Sequence, residues 1–162
     1  MRLIMSTAIC AAFLSAAQAL ALPETAGEWR SAHEDVIPLV LDANSENVGR
    51  WTHRVYTREA PRAAVEVNFM EGSGPGPLRV PELNPAAGAD TVLDAKSEYR
   101  VINVAGWRAV LERSPLLPAS LAVSMGSDGT LTLEGNVTDE ELAMLAGKLI
   151  KAIESTEDFK GR

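Results

Sequence analysis

The chain has 162 residues, 46% of them hydrophobic, and carries 22 acidic against 15 basic side chains, a net charge of −7. That negative excess repels phosphate backbones and anionic lipid, which argues against nucleic acid as a partner. A single cysteine and only two histidines exclude a disulfide scaffold and leave too few soft ligands for a cysteine-rich metal centre.

Arg2 is the only charged residue before Glu24. An apolar and small-residue run follows it, and Ala17-Gln18-Ala19 and Ala19-Leu20-Ala21 both have the A-x-A spacing of a signal-peptidase site. This order predicts a secretory signal peptide over residues 1–21, cleaved to leave Leu20 or Leu22 at the start of the mature chain. The apolar run falls short of the roughly 20 residues a bilayer span needs, so no stable span is expected after cleavage. Cys10 would leave with the leader, and Ile9 before it is not the small residue that a lipoprotein signal requires. The expectation is a periplasmic or secreted protein whose residues 22–162 form one domain.

Residues 22–34 are polar, with Trp29 as their main apolar anchor, and suit either a short helix or an irregular arm. Residues 35–41 read as a strand, restricted by Pro38 to an edge or a bulge because proline cannot donate to a ladder. Residues 42–49 carry turn chemistry. In the next strand, 50–57, Trp51, His53 and Val55 share one face and Thr52, Arg54 and Tyr56 the other; the tryptophan side reads as the core side. Over residues 63–70, Val65, Val67 and Phe69 alternate with Glu66 and Asn68, the period of a half-buried strand. Residues 59–62 between these two runs make a hairpin.

Residues 72–97 form a long Gly/Pro-rich connection, in which the density of glycine and proline excludes an ordinary helix or central strand. Leu78, Val80 and Leu83 place apolar side chains there beside Arg79 and Glu82. These five residues are the candidate contacts for a ligand or partner, because binding residues concentrate on loops carried by a rigid scaffold.

Two strand-like runs, 99–104 and 107–113, flank Ala105-Gly106. A second hairpin follows: Leu121, Val123 and Met125, then Leu131 and Leu133, each alternating with polar or small residues around the 126–129 turn. The last element is a helix from about Asp139 to Glu154. Thr138 and Glu141 have the spacing of a capping box. Leu142, Leu145, Leu149 and Ile153 make a stripe at helical period, so the helix should be amphipathic and lie on a sheet face. Residues 155–162 read as a frayed tail. The fold class is therefore α+β: an antiparallel sheet of six or seven strands built from hairpins, with the C-terminal helix on one face.

No motif for catalysis stands out. His33-Glu34-Asp35 lacks a second histidine at helical spacing, His53 has no nucleophile at a recognisable distance, and no G-x-S-x-G or phosphate-cradling loop is present. Neither a metal nor another cofactor is called for. Glu66 and Glu112 lie on strand faces expected to be wet. Asn136-Val137-Thr138 fits the glycosylation pattern, but Thr138 already has a capping role. The reading is non-catalytic binding of a protein partner or a small apolar ligand. The alternatives are a hydrolase working through carboxylates or His53, and a purely structural accessory subunit. A cavity walled by Trp51, Phe69 and Trp107 would favour the apolar ligand.

Overall fold

The period-two segments pair into one antiparallel sheet in the computed structural model, which describes residues 22–40, 47–72, 97–126 and 129–156. The strands are β1 (Thr25–Ala26), β2 (Trp29–Arg30), β3 (Glu34–Val40), β4 (Asn47–Arg58), β5 (Ala63–Gly72), β6 (Glu98–Val104), β7 (Trp107–Arg113), β8 (Ala119–Ser124) and β9 (Gly129–Gly135), followed by the helix α1 (Asp139–Glu154). They run in the order β1-β2-β4-β5-β9-β8-β7-β6, with β3 also paired to β4. Two meanders, β3-β4-β5 and β6-β7-β8-β9, thus join where β5 meets β9. The class is α+β, as expected. The two strands beyond the expected number are β1 and β2, each too short to show a period.

The helix begins where its caps say it should. Thr138 accepts a hydrogen bond from the Glu141 backbone, and the Glu141 carboxylate accepts one from the Thr138 backbone. Leu142, Leu145, Ala146, Leu149, Ile150 and Ile153 are buried. They join Val65, Val67, Phe69, Leu111, Leu121, Val123, Leu131 and Leu133 from one sheet face in a single core. Burial of each large aliphatic side chain contributes about 1.5–3 kcal/mol. Leu22, Ala26 and Trp29 complete the core from the N-terminal arm. The arm is not helical; its two short strands turn at Gly27, whose φ of +71° favours glycine.

One face assignment is corrected. On β4 the buried residues are Thr52, Arg54, Tyr56 and Arg58, while Trp51 and His53 are half-buried and Val55 is exposed on the other side. The pairing register forces this. Thr52, Arg54 and Tyr56 stand opposite Phe69, Val67 and Val65, the apolar face of β5. Directly opposed residues share a face, so the tryptophan side is outward. Two arginines then point inward, and each finds acids remote in sequence. Arg54 donates to Glu34 at 3.2 Å, while Arg58 donates to Glu28 at 2.9 Å and Glu141 at 2.6 Å and lies 4.8 Å from the Trp29 ring centre.

The β3 expectation holds: Pro38 sits on a strand paired only to β4, with a register shift between Leu39 and Val40. At the β6–β7 hairpin both turn residues have positive φ, +52° for Ala105 and +93° for Gly106. That is the type I′ pattern, which matches the twist of the strands.

Candidate functional site

With the helix and the arm on one face, the other sheet face is covered by no described element. Ladder register lays its side chains out in rows. One row crosses the sheet as Asp35, His53, Asn68, Thr132, Ala122, Val110 and Val101. The next runs Val55, Glu66, Glu134, Ser120, Glu112 and Tyr99. A third begins Ile37, Trp51, Met70, Thr130 and Ser124. The centre is small and polar. Apolar side chains stand at the flanks, with Ile37 46% and Val101 51% exposed. Asp35, Glu66, Glu134 and Glu112 outnumber the basic side chains of this face, Arg108 at its rim and Arg58 and Arg62 by the β4–β5 turn.

Two features occupy this face. The first is a groove of about 880 Å³ beside the β4–β5 turn, lined among others by Val55, Arg62, Ala64, Glu66, Glu134 and Asn136. Glu66 and Glu134 are direct cross-strand partners on its floor. Like charges so placed repel, and among the described residues no ion pair reaches either one. Gly135, next to Glu134, stands opposite buried Val65 on the core side of the same strand, where a Cβ would meet the Ala64 carbonyl at 2.8 Å.

The second feature is a His-Asp-His corner. His33 Nε2 lies 3.0 Å from Asp35 Oδ1, and His53 Nδ1 lies 3.5 Å from Asp35 Oδ2. Hydrogen bonds from His53, then His33, hold the Asp35 carboxyl below the ordinary carboxylate range. The Trp51 ring sits beside His53, centroids 6.0 Å apart.

The chemistry these features permit is limited. Asp35 orients His53 as a triad acid orients its base, but among the described residues no serine, threonine or cysteine hydrogen-bonds to either imidazole ring; the Ser31 hydroxyl donates to the His33 backbone carbonyl instead. Glu66 and Glu134 both stand in open solvent, whereas acid–base pairs work by unlike environments. Among the described residues no group of three or more metal-ligating side chains could hold a metal ion. Nor is any described helix long and apolar enough to cross a membrane.

Of the residues singled out from sequence, Leu78, Arg79, Val80, Glu82 and Leu83 lie outside the described residues, as does Cys10. Trp51, Phe69 and Trp107 do not converge on one cavity: Trp51 faces outward, Phe69 is in the core, and Trp107 is half-buried and donates to Glu154 at 2.7 Å. Glu66 and Glu112 are on the uncovered face, as the alternation implied. What sequence reasoning missed was Glu134 opposite Glu66 and His53 against Asp35. Only cross-strand register could have revealed either pair.

No family model matches the chain, and neither a curated protein nor a solved structure matches it.

Proposed function

We propose that this is an exported, non-catalytic binding domain, and that the uncovered sheet face docks a protein partner carrying positive charge. The observation that carries this reading is the face itself: a broad surface with an acidic groove, apolar side chains at its flanks, and no convergent nucleophile among the described residues. The excess of carboxylates selects a basic counterpart and speeds its encounter. On the opposite face the amphipathic helix holds the sheet rigid, which limits the entropy lost on binding. Export is supported by the charged, apolar and small-residue order of residues 1–21. It is also supported by Leu22, which packs in the core and so brings the folded domain up to the proposed cleavage site. N-terminal sequencing of the exported protein should start at Leu20 or Leu22.

Native mass spectrometry of the protein purified from its own host tests the binding face. A complex should be present in the wild type, absent in Glu66→Lys/Glu134→Lys, and retained in Lys151→Glu, a reversal on the helix side. A complex indifferent to reversal at Glu66 and Glu134 would refute the proposal.

A further inference from the structure

Both histidines of the chain meet at one corner of the uncovered face. His33 leads into β3, His53 lies in β4, and the antiparallel register sets Asp35 directly opposite His53. The two rings share the Asp35 carboxylate, His33 Nε2 at 3.0 Å from one oxygen and His53 Nδ1 at 3.5 Å from the other. His53 is the more sheltered, its side chain 24% exposed against 80% for His33. The Trp51 ring packs beside His53, and its indole N–H donates to Asn68, the residue opposite His53 on β5. The sheltered ring is thus held from both neighbouring strands.

The other charges that face this pair come from two strands. Glu66 on β5 is diagonal to His53, a separation of roughly 7–8 Å. Arg30 on β2 stands opposite Thr57 and shares the outer side of the sheet. Glu34 and Arg54 form their ion pair on the other side of β3 and β4, as do Arg50 and Glu71 on β4 and β5. Histidine is the side chain whose ordinary charge change falls between about pH 5 and 8. With both rings neutral the corner carries the single negative charge of Asp35; with both protonated it carries a single positive one. Glu66 lies within the ~10 Å over which exposed charges still act on one another in 0.1 M salt.

We propose that the His33–Asp35–His53 corner makes docking on this face dependent on pH. Such regulation rests on the reading of the face as the dock for a basic partner. Near neutrality the corner is anionic, extends the row of Glu66 and Glu134, and attracts the partner's cations. As the pH falls through the histidine range, positive charge appears beside Glu66 and repels the same cations. No change of fold is required, because the switch acts through the field at the face. Linkage makes the effect reciprocal: a basic partner that docks favours the neutral rings and releases their protons.

The probe is an end-capped peptide alternating lysine with valine. Calorimetry reads its binding to the untagged protein at about pH 7.5 and about pH 5.5, toward the two ends of the histidine range. Affinity is expected to fall roughly three- to tenfold at the lower pH. Midway, binding should release protons, seen as a heat that varies with the ionisation enthalpy of the buffer, a measurement that needs no variant. His33→Gln/His53→Gln should remove both effects and keep, at the lower pH, the affinity the wild type has at the higher. Equal affinity at both pH values, no proton release, or a pH dependence that survives in the double variant would overturn the proposal and leave the dock standing. Loss of the native amide spectrum at the lower pH would also overturn it, because unfolding would then explain the weaker binding. Binding absent at the higher pH, or unmoved by Glu66→Lys/Glu134→Lys, would instead overturn the dock, and its regulation with it.

Discussion

Ala105 carries a left-handed φ of +52° in a turn whose partner residue is glycine. An L-residue with a Cβ pays roughly 1–2 kcal/mol in that region, and asparagine pays less. The Asn103 side chain accepts a hydrogen bond from the Gly106 backbone at 3.0 Å and steadies the turn. Ala105→Asn should therefore raise stability, by about 0.5–1 kcal/mol in urea unfolding, since Asn-Gly is the preferred type I′ pair. A neutral or negative change would mean that the surrounding hairpin already absorbs the strain. Gly135 is held by a different constraint, space. A methyl group there would meet the Ala64 carbonyl at 2.8 Å and a Val65 methyl at 2.9 Å. The obstacle is partly backbone, so relief requires the β5–β9 pair to shift. Gly135→Ala should cost about 1–3 kcal/mol, the usual range for overpacking, and thermal unfolding measures it.

Among elements, the helix tests the packing most directly. Leu145 and Leu149 are fully buried, whereas Met144 on the adjacent face is 52% exposed. Leu145→Ala and Leu149→Ala should each cost about 2–5 kcal/mol, Thr138→Ala about 1 kcal/mol through loss of the cap, and Met144→Ala almost nothing. Equal losses at all four would show that the helix does not pack on the sheet through the stripe. The helix start is also an assembly point. Glu141 takes the Thr138 backbone and Arg58, while Asp139 takes Arg100 and Arg113. Through Arg58 the same cluster reaches Glu28, so the arm, β4 and α1 are fastened together at one corner.

For the whole molecule, that corner sets an acid limb. The Thr138 backbone hydrogen bond, then Arg58, holds the Glu141 carboxyl below its ordinary value of 4.5; His53 and His33 hold Asp35 below 3.8. A carboxyl depressed in the folded state contributes stability that is complete above its unfolded pKa and is lost as pH falls through the folded one. The urea midpoint should therefore hold near neutrality and fall once pH drops below those ordinary values. In Glu141→Gln the fall should be shallower. An unchanged acid limb in that variant would remove Glu141 from the account.

Much of this architecture is local in origin and was legible in the chain. Val65-Val67-Phe69, Leu121-Val123 and Leu131-Leu133 alternate because only one sheet face is dry, and Thr138 with Glu141 marks the helix start, so the hairpins, the helix and the α+β class follow from neighbours a few residues apart. Pro38 marked an edge for the same reason. Tertiary structure alone decided which side of β4 faces in. The alternation of Trp51, His53 and Val55 against Thr52, Arg54 and Tyr56 offers an apolar-looking side and a mixed one, and either can be buried if its charges are paired. Pairing with Val67 and the reach of Glu28, Glu34 and Glu141 buried the arginines and left the tryptophan out. The opposition of Glu66 to Glu134 and the approach of His53 to Asp35 have the same origin: they depend on strand order and register, which are set by contacts between segments far apart in the chain.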